Sequence, residues 1–264
     1  MNGHKAGTVP PGTQTLARGL AVLRAVAGGA HSLNDVVESS GVGRSTAHRL
    51  LQLLEQEGYV ERRTAGYVLG PALIEYGFLA LSNNPVPVVA RPVLEDLAST
   101  YQDTVHLGIV DDGQVLYLDK IAGSRGPVAN SRIGHRMPLT RTGIGKALIL
   151  DRTEHWESLY RADHEGEDGL ESGLADFIRR MEGYRESGTA MDLEENEQWI
   201  RCVAAPVRNG GGRIVAAVSI SATRPYFPPA RMRALVPVMR DAAHAISRKL
   251  GQPQRGSEVA HPRR

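Results

Sequence analysis

Between Thr15 and Gly58 the apolar residues return every three or four positions in three separate bursts, and glycine ends each burst. Leu16, Leu20, Leu23, Val26 and Ala27 form the first stripe, stopped by Gly28 and Gly29. A helix places such positions on one face, so the spacing predicts a helix there. Ser32 with Asp35 three residues later reads as a capping pair; Val36 and Val37 supply a short stripe, and Gly41 ends a second helix. After "SSGVG" a third helix follows. Ala47, Leu50, Leu51 and Leu54 share one side of it, and Ser45, His48, Arg49, Gln52 and Gln56 the other. "YVERRTAGYVL" then alternates around Thr64, Ala65 and Gly66, a hairpin signal with Arg62 and Arg63 near its tip. Three short helices and a small hairpin predict a winged helix-turn-helix over residues 14–70.

The remainder reads differently. Pro71 suits a first helical position, and Leu73, Ile74, Phe78 and Leu81 form a stripe that "SNNPVP" breaks, so 71–84 reads as a linker helix. Val93, Leu94, Leu97 and Tyr101 mark another helix, and "VHLGIV" and "QVLYLDKI", joined by Asp111-Asp112-Gly113, a strand pair. Helical spacing recurs at 143–150, 153–160 and 170–183, and strands at 199–207 and 213–222. A last helix runs to Leu250 with Met232, Leu235, Val236, Met239, Ala243 and Ile246 on its apolar face, and Pro237 is expected to kink or interrupt it. The fold class expected is therefore α+β, with an α/β domain of mainly antiparallel sheet over 85–250. Residues 1–13 and the basic 251–264 read as flexible arms, and a chain of 264 residues accommodates this two-domain plan.

A polar helix face carrying Ser45, Thr46, His48, Arg49 and Gln52 fits a DNA major groove, because Arg reads guanine edges or phosphates and Gln pairs with adenine. Arg18 and Arg44 flank that face, and Arg62 and Arg63 on the wing would meet the adjacent backbone. Charge supports this only weakly: residues 14–70 hold six basic and five acidic side chains, and the whole chain carries +2. Such a module needs a dimer on a palindromic site for tight binding. No apolar run reaches membrane-spanning length, and a lone cysteine, Cys202, fits a reducing compartment, so a cytoplasmic protein without membrane contact is expected.

Enzyme readings are weaker. "TGIGKAL" resembles a phosphate loop, but Thr140 stands where a Walker loop needs its first glycine and Ala147 where it needs Ser or Thr. Cys202 lies in the apolar "RCVAAPV" with no adjacent histidine, where a buried inert thiol is the better reading. His106 and His135 lack metal-ligand spacing and read as isolated surface or packing residues. Neither catalysis nor a metal or other cofactor is expected; the alternatives are a winged helix used only for protein contacts and a minor enzymatic role through Cys202.

Taken together, "LARGLAVLRAVA", "GVGRSTAHRLLQLLEQEGYVERR", "GYVLG", "RMPLTRTGIGKAL", "DLEENEQWIRCVAAPV" and "VAAVSISAT" resemble the IclR family of bacterial transcription regulators, from about residue 14 to 250. The resemblance implies a DNA-binding winged helix, a linker helix and a GAF-like effector domain, assembled as a homodimer or homotetramer. It also implies a small-molecule effector, commonly a carboxylate or sugar acid. By position, the effector pocket maps to Gly143 and Ile144, to Asp192 and Cys202, and to Ser219 and Ser221, with apolar lining from Gly126, Ala129, Met137 and Ile200. Ser219 and Ser221, two apart on a strand, share a face while Val218 and Ile220 point to the core. Helix-start amides at Gly143 and Ile144 would suit an anion. Asp192 is expected to accept hydrogen bonds from a ligand hydroxyl or from backbone. Thr140-Arg141 and Trp199 depart from the family's usual residues.

Overall fold

The computed structural model describes residues 9–125 and 131–251, and the chain forms two units, Met1–Asn84 and Pro85–Arg264. The arms read at 1–13 and 251–264, together with Gly126 and Ala129, lie wholly or largely outside the described residues.

In the first unit, α1 (Gln14–Ala27), α2 (Leu33–Ser40) and α3 (Arg44–Gln56) precede β1 (Val60–Arg63), β2 (Gly66–Leu69) and α4 (Pro71–Ser82). The three helical stripes meet: Val22, Val26, Val36, Ala47 and Leu51 pack with Val60 and Tyr67 of the hairpin. The start of α2 is locked by a reciprocal cap, since the Asp35 amide donates to Ser32 Oγ (3.2 Å) and the Ser32 amide to Asp35 Oδ2 (2.9 Å). Gly41 ends α2 in the left-handed region at φ 65°, which turns the chain into α3. The hairpin pairs Arg63 with Gly66, leaving Thr64 and Ala65 as the tip. At Gly66 a Cβ would lie 2.2 Å from the His31 carbonyl oxygen, so glycine lets the wing approach the loop before α2, where the Tyr67 amide donates to that same oxygen at 2.8 Å. Helix α4 opens on Pro71 and leaves Ile74, Tyr76, Phe78 and Leu79 exposed.

The second unit begins with α5 (Pro85–Tyr101) and continues through β3 (Thr104–Asp111), β4 (Gln114–Ile121), β5 (Arg136–Met137), α6 (Gly143–Leu148), α7 (Trp156–Asp163), α8 (Leu170–Ser187), β6 (Ala190–Leu193), β7 (Ile200–Arg208), β8 (Ile214–Thr223) and α9 (Pro229–Lys249). Its strands form an antiparallel sheet in the order β5-β4-β3-β8-β7-β6. One face carries Val105, Leu107, Val203, Val218 and Ile220 and is covered by α5 and α9. The other face packs Ala190, Ala204 and Ala217 beneath α6 and the α7–α8 pair.

Three expectations change or narrow. "SNNPVP" interrupts the helices only at Asn83 and Asn84, because Pro85 and Pro87 fall in the first turn of α5, where a missing N–H costs no helical bond. Helix α9 is not interrupted at Pro237, one of the two outcomes expected there; it runs from Pro229 to Lys249, with Met232, Leu235, Met239 and Ile246 seated in the core. Strands β5 and β6 were not expected; two and four residues are too short to show a period of two.

Candidate DNA-binding face and effector pocket

Helix α3 and the wing enclose a concavity of about 1170 Å³ on the first unit. Arg44, Ser45, His48 and Arg49 line it from α3, and Arg62 and Arg63 from β1. Their side chains stay outside because Ala47 and Leu51, on the opposite side of α3, are fully buried. Arg18, Thr46 and Gln52 do not line the concavity, although Arg18 and Gln52 are exposed. Arg63 is partly neutralised by Glu61 at 2.8 Å, and Arg44 bonds the Asn34 side chain, so Arg49 and Arg62 are the lining arginines with no side-chain hydrogen bond or salt bridge among the described residues. Sequence reasoning missed His31, Ser32, Thr64 and Tyr67 on this surface. Their contribution comes from the loop before α2 meeting the wing, a tertiary contact that no local period reports.

In the second unit a cavity of about 240 Å³ opens on the sheet face beneath α6. Strand register builds its floor: Asp192 pairs with Cys202, Cys202 with Ser221 and Ser221 with Thr104, while Ser219 pairs with His106 in the next row. Asp192, Cys202, Ser219, Ser221, Ile144, Met137 and Ile200 all line it. Ser221 Oγ donates to the Thr104 carbonyl at 3.4 Å, whereas the buried Ser219 hydroxyl has no side-chain partner among the described residues. Gly143 does not line the cavity. It lies behind, pressed on β7, where its amide bonds the Cys202 sulfur and an added Cβ would stand 2.4 Å from that atom.

Helix α6 is tied at its start by Thr142, whose Oγ1 donates to the Pro138 carbonyl (2.9 Å) and accepts from the Gly145 amide (3.0 Å). Lys146 of the phosphate-loop lookalike is buried, donates to the Met191 carbonyl at 3.0 Å and forms an ion pair with Glu195. Burial draws its ammonium down to about 8, with the Asp192 charge opposing. Arg180 on α8 pairs with the same Glu195. Burial raises the Asp192 carboxyl to about 6, held back by Lys146 and by the amides of Glu194 and Asn196. Asp192 Oδ1 accepts from the Glu195 amide at 2.8 Å, so this carboxylate anchors the loop that carries Asn196 and Glu197 to the cavity. The Cys202 thiol is buried and pushed up to about 12, which leaves it protonated and unreactive.

His106 and His135 are neither isolated nor merely surface groups, since both line the cavity with Tyr117, Ser131, Thr142, Asn196 and Glu197. His106 is 3% exposed, stacks on Tyr117 at 4.8 Å and shares a 2.7 Å hydrogen bond with Ser131 Oγ through Nε2. Burial, aided by the Lys120 charge, holds its imidazole neutral, with a pKa of about 3. Among the described residues no cluster of His, Cys, Asp and Glu is arranged to hold a metal.

A winged helix with a basic concave face, followed in the same chain by a sheet domain enclosing a small polar pocket, defines a DNA-binding regulator with a sensor domain. Residues 15–64 match the IclR helix-turn-helix domain, and residues 78–248 match the bacterial transcriptional regulator IclR C-terminal domain. The HTH-type transcriptional regulator XynR of Escherichia coli (strain K12) is 34% identical over 233 residues, covering 84% of this chain and 90% of that protein. Among solved structures, Thermotoga maritima IclR superposes with a TM-score of 0.75 at 29% identity over 90% of this chain and 98% of that one. An IclR homolog from Microbacterium hydrocarbonoxydans, complexed with 4-hydroxybenzoate, shares the fold with a TM-score of 0.77 at 22% identity, covering 89% and 98%. The chain belongs to the IclR family of transcriptional regulators.

Proposed function

We propose that this regulator binds a palindromic operator as a dimer or tetramer through α3 and the wing, and that a small carboxylate or sugar acid in the sheet cavity changes its operator affinity. The observation that carries the reading is the buried cavity lined by Ser219, Ser221, His106 and Asp192, together with a basic recognition face on the same chain. Arg49, His48, Ser45 and Gln52 are assigned to the groove, with Arg18, Arg44, Thr46, Arg62 and Arg63 to phosphates or to positioning. Ser219, Ser221, His106 and the Ile144 amide are assigned to the ligand, and Met137 and Ile200 to its apolar flank. Exposed Leu16, Leu20, Ile74, Phe78 and Leu79 supply the apolar surface that self-association requires. The ligand acts through different affinities for two states of the protein. The compartment is the cytoplasm, where DNA and metabolites are both within reach, and no catalytic role is assigned to Cys202.

Two assays test this. A thermal-shift screen of D-glycerate, D-gluconate and 4-hydroxybenzoate, the last chosen from the structural relative, should raise Tm with at least one acid in the wild type and not in Ser219→Ala. Arg49→Ala should weaken binding to DNA upstream of its own gene by roughly 10- to 100-fold, about 1–3 kcal/mol, at unchanged Tm. Wild-type protein that shifts no fragment at low salt would overturn the operator reading.

A further inference from the structure

Among the described residues that line the sheet cavity stand the carboxyls of Asp192 and Glu197 but neither lysine nor arginine. The segment 126–130 adds none, because its sequence is Gly-Pro-Val-Ala-Asn. The buried cation Lys146 on α6 pairs with Glu195 and donates to the Met191 carbonyl while its charge also steadies Asp192, Arg180 on α8 pairs with the same Glu195, and Lys120 on β4 donates to the Ser131 carbonyl at 2.6 Å. Arg201 and Arg224 both pair with Glu194, at 2.8 and 3.6 Å. On the remaining elements facing Asp192, the Cys202 thiol on β7, Tyr117 on β4 and Tyr184 on α8 are all raised by burial and stay neutral. His106 on β3 is neutral too, and His135 is the other imidazole at the cavity.

An organic anion entering this space places a second negative charge beside the buried Asp192 carboxyl, and among the described lining residues no lysine or arginine receives it, while Glu197 is exposed to solvent. Like charges sharing a poorly solvated site do not both remain ionised. We infer that the pocket takes up its acid together with one proton, shared between the ligand carboxylate and Asp192 as an acid–carboxylate hydrogen bond. The balance is simple: ligand anion, Asp192 carboxylate and one solvent proton give a complex of net charge minus one on the pair, and no covalent bond other than O–H forms. Asp192 is suited to receive it, being 4% exposed, with a carboxyl that burial has already raised to about 6. Above that value the proton must come from solvent, so affinity falls as pH rises; below it Asp192 already carries the proton and the dependence flattens.

This inference rests on the cavity being the effector site, and the test separates the two. Isothermal titration of the full chain with D-glycerate, D-gluconate and 4-hydroxybenzoate is run in phosphate and in Tris at pH 7.5, and Kd is followed from pH 6 to 8. Expected for a bound acid are uptake of close to one proton and a weakening of Kd approaching tenfold per pH unit. Asp192→Asn, which keeps an acceptor for the Glu195 amide, should abolish the uptake and flatten the profile. A wild-type Kd independent of pH and buffer overturns the proton coupling while leaving the effector pocket standing. Uptake that persists in Asp192→Asn overturns Asp192 as its seat and points to an imidazole. If none of the acids binds between pH 6 and 8, the acid-binding reading of the cavity falls with the inference.

Discussion

At the residue scale the second unit stores its polar chemistry in groups that burial has neutralised or paired. His106 is the clearest case for pH. Its folded pKa lies near 3, below the 6.5 of a free imidazole, so it adds stability that is present above pH 6.5 and is lost as pH falls toward 3. Asp192, raised to about 6, acts in the opposite sense, which makes a comparison with a variant necessary. The wild type should lose roughly 1 kcal/mol relative to His106→Phe on going from pH 6.5 to 5.5, read by urea unfolding at each pH. Lys146 tests the buried ion pair. Lys146→Met leaves Glu195 with Arg180 as its cation and should cost about 3 kcal/mol in denaturant unfolding. Glu195→Gln alone removes the carboxylate from both Lys146 and Arg180, and the double variant should cost less than the sum of the two single losses. Additive losses would mean that the two side chains are not coupled.

At the element scale, the seam between α6 and β7 decides the cavity's shape. Gly143→Ala drives a Cβ to 2.4 Å from the Cys202 sulfur and 3.0 Å from the Asp192 amide. The helix must lift, so Tm should fall, and Cys202→Ala in the same chain should restore part of it. An unchanged Tm in Gly143→Ala would show that the contact is slack. Elements with clear local signals were legible in the sequence: α1 to α3 by apolar stripes with glycine stops, and β7 and β8 as strands joined through "RNGGG". The cap at Ser32 and Asp35 was equally plain, because it is a local bond between near neighbours. What the sequence hid is non-local. His106 sits on β3, where Thr104 to Gly108 are buried on both faces, so no alternation separates the ligand face from the core face. Tyr117 reaches the cavity only through pairing across a bulge between Leu107 and Gly108. Ser219 and Ser221 came from the resemblance to the family, and their spacing of two on an otherwise apolar strand agrees with a shared face.

At the scale of the whole molecule one chain carries two properties: a basic recognition face on the first unit and a small polar cavity in the second. Each is consistent alone with a simpler protein, the first with an architectural DNA binder and the second with a carrier of small acids. Linkage between them requires that a ligand in the cavity bind two operator-affinity states unequally. The direct measurement is fluorescence anisotropy of the upstream operator fragment, titrated with full-length protein with and without each acid that raises Tm. At least one acid should move the midpoint by about fivefold or more, in line with coupling of roughly 1–3 kcal/mol, and Ser219→Ala should abolish the shift while binding the operator normally without ligand. An acid that raises Tm through the cavity yet leaves the operator midpoint unmoved would contradict that linkage.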